Sequence, residues 1–117
     1  MEDMLAKTER INRLLDFYLP MFNQRQQEML TLYYRDDFSL TEIADTFHIS
    51  RQAVHDQLHR LVQHMEQTET TLQLYQKNLQ QLEVLNQLSE KIQRLSGYLP
   101  PTVVGEITQI MQKLRQL

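Results

Sequence analysis

The chain has 117 residues, 41% hydrophobic and 23% charged, with 2 Gly, 3 Pro and no Cys. That composition excludes disulfide scaffolds, thiolate zinc sites and thiol nucleophiles, and it leaves strand-turn-strand folds almost no punctuation. Twelve Lys and Arg against fifteen Asp and Glu give a formal charge of −3, which argues against a broad polyanion-binding surface and leaves a local basic face open.

The opening Met1-Glu2-Asp3-Met4 is acidic and lacks the basic-then-apolar pattern of a secretory signal. No apolar run reaches the roughly 20 residues of a membrane-spanning helix. These features predict an all-α, cytoplasmic protein without membrane contact. Residues 1–66 are expected to form one small domain and residues 67–117 a helical extension.

In the first segment Ile11, Leu14, Leu15, Tyr18 and Leu19 fall at helical spacing, separated by charged residues. Pro20 closes this helix, because it lacks an N–H and disfavours helix at the residue before it. Asn23 is a suitable N-cap for a second helix carrying Met29, Leu30, Leu32 and Tyr33, which gives way around Arg35 to Phe38. Ser39-Leu40-Thr41-Glu42 then fits a capping box, and Ile43, Ala44 and Phe47 supply the apolar side of a short third helix. His48-Ile49-Ser50 is a three-residue turn, and Val54, Leu58, Leu61 and Met65 mark the buried stripe of a fourth helix.

Beyond Met65 no Gly or Pro occurs until Gly97, while Leu72, Tyr75, Leu79, Leu82, Leu85, Leu88, Ile92 and Leu95 recur every three or four residues. Glutamines interleave with this stripe and read as a solvated helix face. One helix from Arg51 to Ser96 would be about 69 Å long, too long for a compact domain. A break is expected between Gln67 and Leu74, where Thr68, Thr70 and Thr71 lower helix propensity. Gly97 and Pro100-Pro101 end the arm, and Val103 to Leu117 forms a last amphipathic helix with Val104, Ile107, Ile110, Met111 and Leu114 on one face.

Residues 39–61 carry the most specific signal. A helix-turn-helix needs a small residue where its helices cross, an apolar anchor in the turn, and a second helix whose buried side faces the first. Ile43 and Ala44 hold the crossing, Ile49 anchors the turn, and Val54 and Leu58 face inward. The pattern resembles the helix-turn-helix of sigma-70 region 4. More closely, Leu30-Thr-Leu-Tyr-Tyr34, Asp36 to Ala44 and Ser50-Arg-Gln-Ala-Val54 resemble the YlxM family of small bacterial proteins, over roughly residues 5–110. The resemblance implies a sigma-like motif with a helical extension, a regulatory role, and association with components of the signal recognition particle pathway. His48 stands where such turns commonly carry Gly, so an imidazole-bearing residue must adopt the left-handed conformation there.

If the fourth helix enters a major groove, its outward residues Arg51, Gln52, His55, His59 and Arg60 are the candidate nucleic-acid contacts. Arg suits guanine edges and Gln adenine. Asp56 lies among them and opposes phosphate, and residues 39–66 carry two Arg against four acidic residues. All four His fall between 48 and 64, and His55 and His59 are one helical turn apart, a spacing that can share a metal. No third ligand has a convincing spacing, so no metal or other cofactor is expected. Asp36-Asp37 sits at a loop where Asp serves local hydrogen bonding; with no phosphate loop or nucleophile elbow, the protein is expected not to be an enzyme.

The extension has more apolar positions than one small domain can cover. Leu72, Tyr75, Leu79, Leu82, Leu88, Ile92 and Leu95 are therefore the candidate contacts of a homodimer. Two functions follow: a dimeric regulator that binds DNA, or an adaptor that binds a protein or ribonucleoprotein partner through the same motif. Structural RNA binding ranks below both, because no stacking aromatics are expected near the motif.

Overall fold

A computed structural model describes residues 4–117. The helices are α1 (Met4–Tyr18), α2 (Gln24–Tyr34), α3 (Leu40–Phe47), α4 (Arg51–Leu72), α5 (Leu74–Leu95) and α6 (Pro101–Gln116), with single 3-10 turns at Leu19–Met21 and Ser96–Tyr98. There is no strand among the described residues, so the chain is all-α. None of these helices is long and apolar enough to cross a membrane. The chain divides into two compact units, one running to Tyr75 and the other from Gln76 to Leu117.

In the first unit α2, α3 and α4 each start on a local cap. α1 gives way after Tyr18 to the 3-10 turn that carries Pro20. Asn23 caps α2 in a full capping box, its side chain accepting from the Gln26 N–H while the Gln26 side chain accepts from the Asn23 N–H. Ser39 and Glu42 make the same reciprocal pair at α3. His48 adopts the left-handed conformation (φ 57°, ψ 42°), and the Ala44 carbonyl accepts from the N–H groups of both His48 and Ile49. Ser50 then caps α4, accepting from the Ala53 N–H at 3.0 Å.

The core lies where α1 and α3 pack on α4, closed by α2. Ile11, Leu14, Leu15 and Tyr18 meet Met29, Leu30, Ile43, Ala44, Val54, Leu58 and Met65, all buried, with Phe22 from the connection. Each of the larger side chains contributes about 1.5–3 kcal/mol by leaving water.

The break in the long helical arm falls at Gln73, which is left-handed (φ 56°, ψ 34°). It lies within the expected stretch, but the threonines do not make it. The hydroxyls of Thr68, Thr70 and Thr71 each donate to the carbonyl four residues back, inside α4. What starts α5 is a tertiary cap. The Tyr18 hydroxyl accepts from the Leu74 N–H at 3.2 Å and donates to Glu69 Oε1 at 2.5 Å, and the same oxygen accepts from the Tyr75 N–H at 3.0 Å. The first N–H groups of a helix have no partner within it, and here Tyr18 and Glu69 supply one from α1 and α4. Tyr75 then packs its ring on Phe17, centroids 6.0 Å apart.

The second unit is a helical hairpin. Arg115 donates to Asn86 at 3.5 Å, and Val104, Thr108 and Met111 share a shallow hollow with Ile92, Gln93 and Ser96, so α6 runs back along α5. Leu85 and Met111 are its buried apolar residues. Val104 and Ile107 are half-buried, whereas Ile110 and Leu114 remain exposed.

Candidate nucleic-acid interface

The capped turn delivers α4 with its first residues outward. Arg51, Gln52, His55, His59 and Arg60 are all exposed, while Val54 and Leu58 from the same turns are buried against α3. The five do not share one stripe. Successive residues on a helix are rotated by about 100°, so Arg51, His55 and His59 lie along one edge of α4 and Gln52, Asp56 and Arg60 along the next.

The first edge is flanked by α1 and the end of α2. His55 and His59 line a hollow of about 170 Å³ together with Lys7, Tyr33, Tyr34, Leu40 and Leu58. Arg51 lines a neighbouring hollow of about 410 Å³ with Thr8, Asp37 and the same two tyrosines. Further along, Lys7 and His59 border a larger hollow of about 530 Å³ with Arg10, Val62 and Gln63. Because these hollows share residues, they form one trough beside α4. Arg51 has no ion pair among the described residues. Arg10 is committed to Glu66 in a two-point contact, Nε at 3.0 Å and Nη2 at 2.8 Å. That hydrogen bonding holds its guanidinium pKa above the usual value, against a smaller opposing effect of burial.

On the second edge Asp56 draws its neighbours inward. Gln52 donates to Asp56 Oδ1 at 3.0 Å, and His55 Nδ1 lies 3.4 Å from the same oxygen. The His55 and Gln52 hydrogen bonds hold the Asp56 carboxyl below its usual range, with Arg60 adding a weaker pull. Gln52 must leave Asp56 before its amide can read an adenine edge. Glu42 is engaged in the α3 cap, and Asp45 is exposed.

His55 and His59 hold parallel rings with centroids 6.5 Å apart. No group of three or more His, Asp or Glu side chains among the described residues could hold a metal. Two features of the site were not read from the sequence. Lys7 lies 44 residues before Arg51 in the chain, and only the packing of α1 on α4 brings it to the trough. Tyr33 reads from the sequence as a helix residue of α2 and Tyr34 as part of the family resemblance, yet both stand beside His55 and His59, their own rings edge to face at 4.9 Å. The expectation that no aromatic lies near the motif is thereby corrected. The adjacency of two tyrosines at the end of α2, just before the motif, was the available signal.

Of the candidate dimer contacts, Tyr75 packs within the first unit, and Leu82 and Ile92 are half-buried on α5. Leu72, Leu79, Leu88 and Leu95 are exposed.

Comparison with known proteins agrees with this architecture. The family model described as "Putative helix-turn-helix protein, YlxM / p13 like", UPF0122, matches residues 5–98. The chain belongs to the UPF0122 family. That match covers the motif and the whole of α5. Among UPF0122 relatives, the protein of Limosilactobacillus reuteri is 44% identical over 90 residues, 77% of this chain and 76% of its own length. A Geobacillus relative is 38% identical over 114 residues, 97% of this chain and 96% of its own. One from Staphylococcus epidermidis is 41% identical over 106 residues, 91% and 92% of the two chains. The description of UPF0122 names a helix-turn-helix, the motif that α3 and α4 form here.

Proposed function

We propose that this UPF0122 protein is a regulatory, non-enzymatic DNA-binding protein that acts in the cytoplasm as a homodimer. The observation that carries this reading is the intact motif, with Arg51 outward at the first turn of α4 and free of any ion pair among the described residues. In this reading Arg51 and Gln52 contact base edges. Arg60 and the N–H groups at the start of α4 hold phosphates, with His55 and His59 on the groove edge. The family resemblance supports a role for that regulation in the signal recognition particle pathway.

A second reading is favoured by charge. Residues 1–75 carry seven Lys and Arg against twelve Asp and Glu, a net of −5. Such a unit suits an adaptor that binds a basic protein, or the protein part of a ribonucleoprotein of the targeting machinery, better than a tight polyanion binder. Selection from a randomised DNA pool, with salt varied, separates the two. Enrichment of a palindromic site, weakened by salt and lost in R51A/Q52A, supports the regulator. No enrichment at low salt refutes DNA reading and leaves the adaptor.

A further inference from the structure

The helical hairpin of residues 76–117 leaves a two-helix apolar face uncovered, and we propose that this face is where a second copy of the chain docks. The inference deepens the homodimer of the proposed function by naming its surface, and it does not depend on DNA being the ligand.

Helical phase defines the face. On α5 the side turned to α6 carries Leu85 and Ile92, and Val84, Leu88 and Leu95 lie about a quarter-turn round from it. On α6 the inward side carries Val104 and Met111, and Val103, Ile110 and Leu114 lie about a quarter-turn round. Because the two helices are antiparallel, both quarter-turns point to the same broad side of the hairpin. The six residues are exposed by 62, 44, 49, 36, 57 and 38% respectively. The opposite side carries Thr108, Gln112 and Asn86, with Leu82 half-buried and Leu79 as its one exposed large apolar residue.

Two arguments identify the occupant as a second copy. The first is size: a hairpin with Leu85 and Met111 as its buried apolar residues and no cysteine stands near the ~40-residue limit below which folding usually requires disulfides, metals or oligomerisation. The second is area. The six side chains expose roughly 500 Å², which is the apolar share of the ~800 Å² per partner that a standard interface buries. A two-fold axis through the face sets the α5 stripe of one copy on the α6 stripe of the other, closing a four-helix arrangement without leaving an open patch.

The test is sedimentation equilibrium of the full chain, alone and with anionic phospholipid vesicles, on wild type, V84E, I110E and L79E. Circular dichroism confirms that each variant keeps its helix content. The expected result is a particle of twice the 14.1 kDa chain mass for wild type and L79E. The dimer dissociation constant should rise at least about tenfold in V84E and I110E, where a charge enters an apolar contact. A wild type that is monomeric at about 100 μM overturns the proposal, as does a dimer weakened by L79E and not by I110E. A monomer that binds the vesicles overturns it in favour of a lipid surface. Failure of the DNA selection with an intact dimer refutes only the DNA reading.

Discussion

Replacing Glu69 tests whether the start of α5 is held by a tertiary cap. The Glu69 side chain is buried, and one of its oxygens accepts from both the Tyr18 hydroxyl and the Tyr75 N–H. E69A removes that acceptor. Tyr18 is only 2% exposed, so water cannot replace the lost partner without opening the core. Two donors left unmet at about 1–3 kcal/mol each predict a loss of about 2–6 kcal/mol.

For a domain this size that is a fall of the order of 10–30 °C in Tm. Y18F removes the donor to Glu69 and the acceptor for Leu74 N–H, and should cost about 1.5–3 kcal/mol. The two residues act as one unit, so the double variant should be less destabilised than the sum of the singles by about 1 kcal/mol or more. Urea unfolding followed by tyrosine fluorescence is the assay, since four of the five tyrosines lie in the first unit and no Trp is present. A cost for E69A below about 0.5 kcal/mol, or additive singles, would refute the cap.

The remaining expectations follow from single features. H48G should stabilise the protein by about 0.5–1 kcal/mol in thermal unfolding, because Gly accepts the left-handed turn without a Cβ penalty; H48V should lose stability. S50A removes the α4 cap and should cost about 1 kcal/mol by the same measurement. Burial, assisted by Tyr33, raises the Tyr34 hydroxyl pKa from 10.0 to about 12. The folded state therefore holds this proton more tightly than the unfolded one, and the stabilisation is complete below pH 10 and lost as pH rises through 12. Y34F should flatten that alkaline fall in a denaturation series. If α4 binds DNA, D56N should tighten binding roughly fivefold at low salt, by removing a carboxylate near phosphates and releasing Gln52; unchanged affinity in a titration would place Asp56 away from the contact.

The motif was legible residue by residue because its determinants are local. Asn23, Ser39 and Ser50 cap helices whose first N–H groups lie two or three residues away, and the Ile43, Ala44, Ile49 and Val54 spacing expresses one helix crossing another after a fixed turn. His48 in the left-handed region follows from the same turn. The outward positions Arg51, Gln52, His55, His59 and Arg60 also follow from phase, since Val54 and Leu58 must face the core. Phase along α4 cannot show what stands opposite, so Lys7, Tyr33 and Tyr34 appear beside the imidazoles only once α1 and α2 have packed. Likewise, the apolar stripe from Leu72 to Leu95 reads as one seam in sequence. Packing divides it between the first unit, where Tyr75 joins the core, and the second, where it splits into the α5–α6 interior and an open flank.

The sequence by itself determined the helices, the ends that local caps set, the helix-turn-helix and the residues that motif turns to solvent, because hydrogen-bond capping and 3.6-residue periodicity act over a few positions. Tertiary structure decided at which residue between Gln67 and Leu74 the long arm breaks, because the groups that cap α5 are Tyr18 and Glu69, 51 residues apart in the chain. It also decided which leucines are core and which are surface. Burial depends on the partner a face meets, and that partner is set by the packing of distant helices.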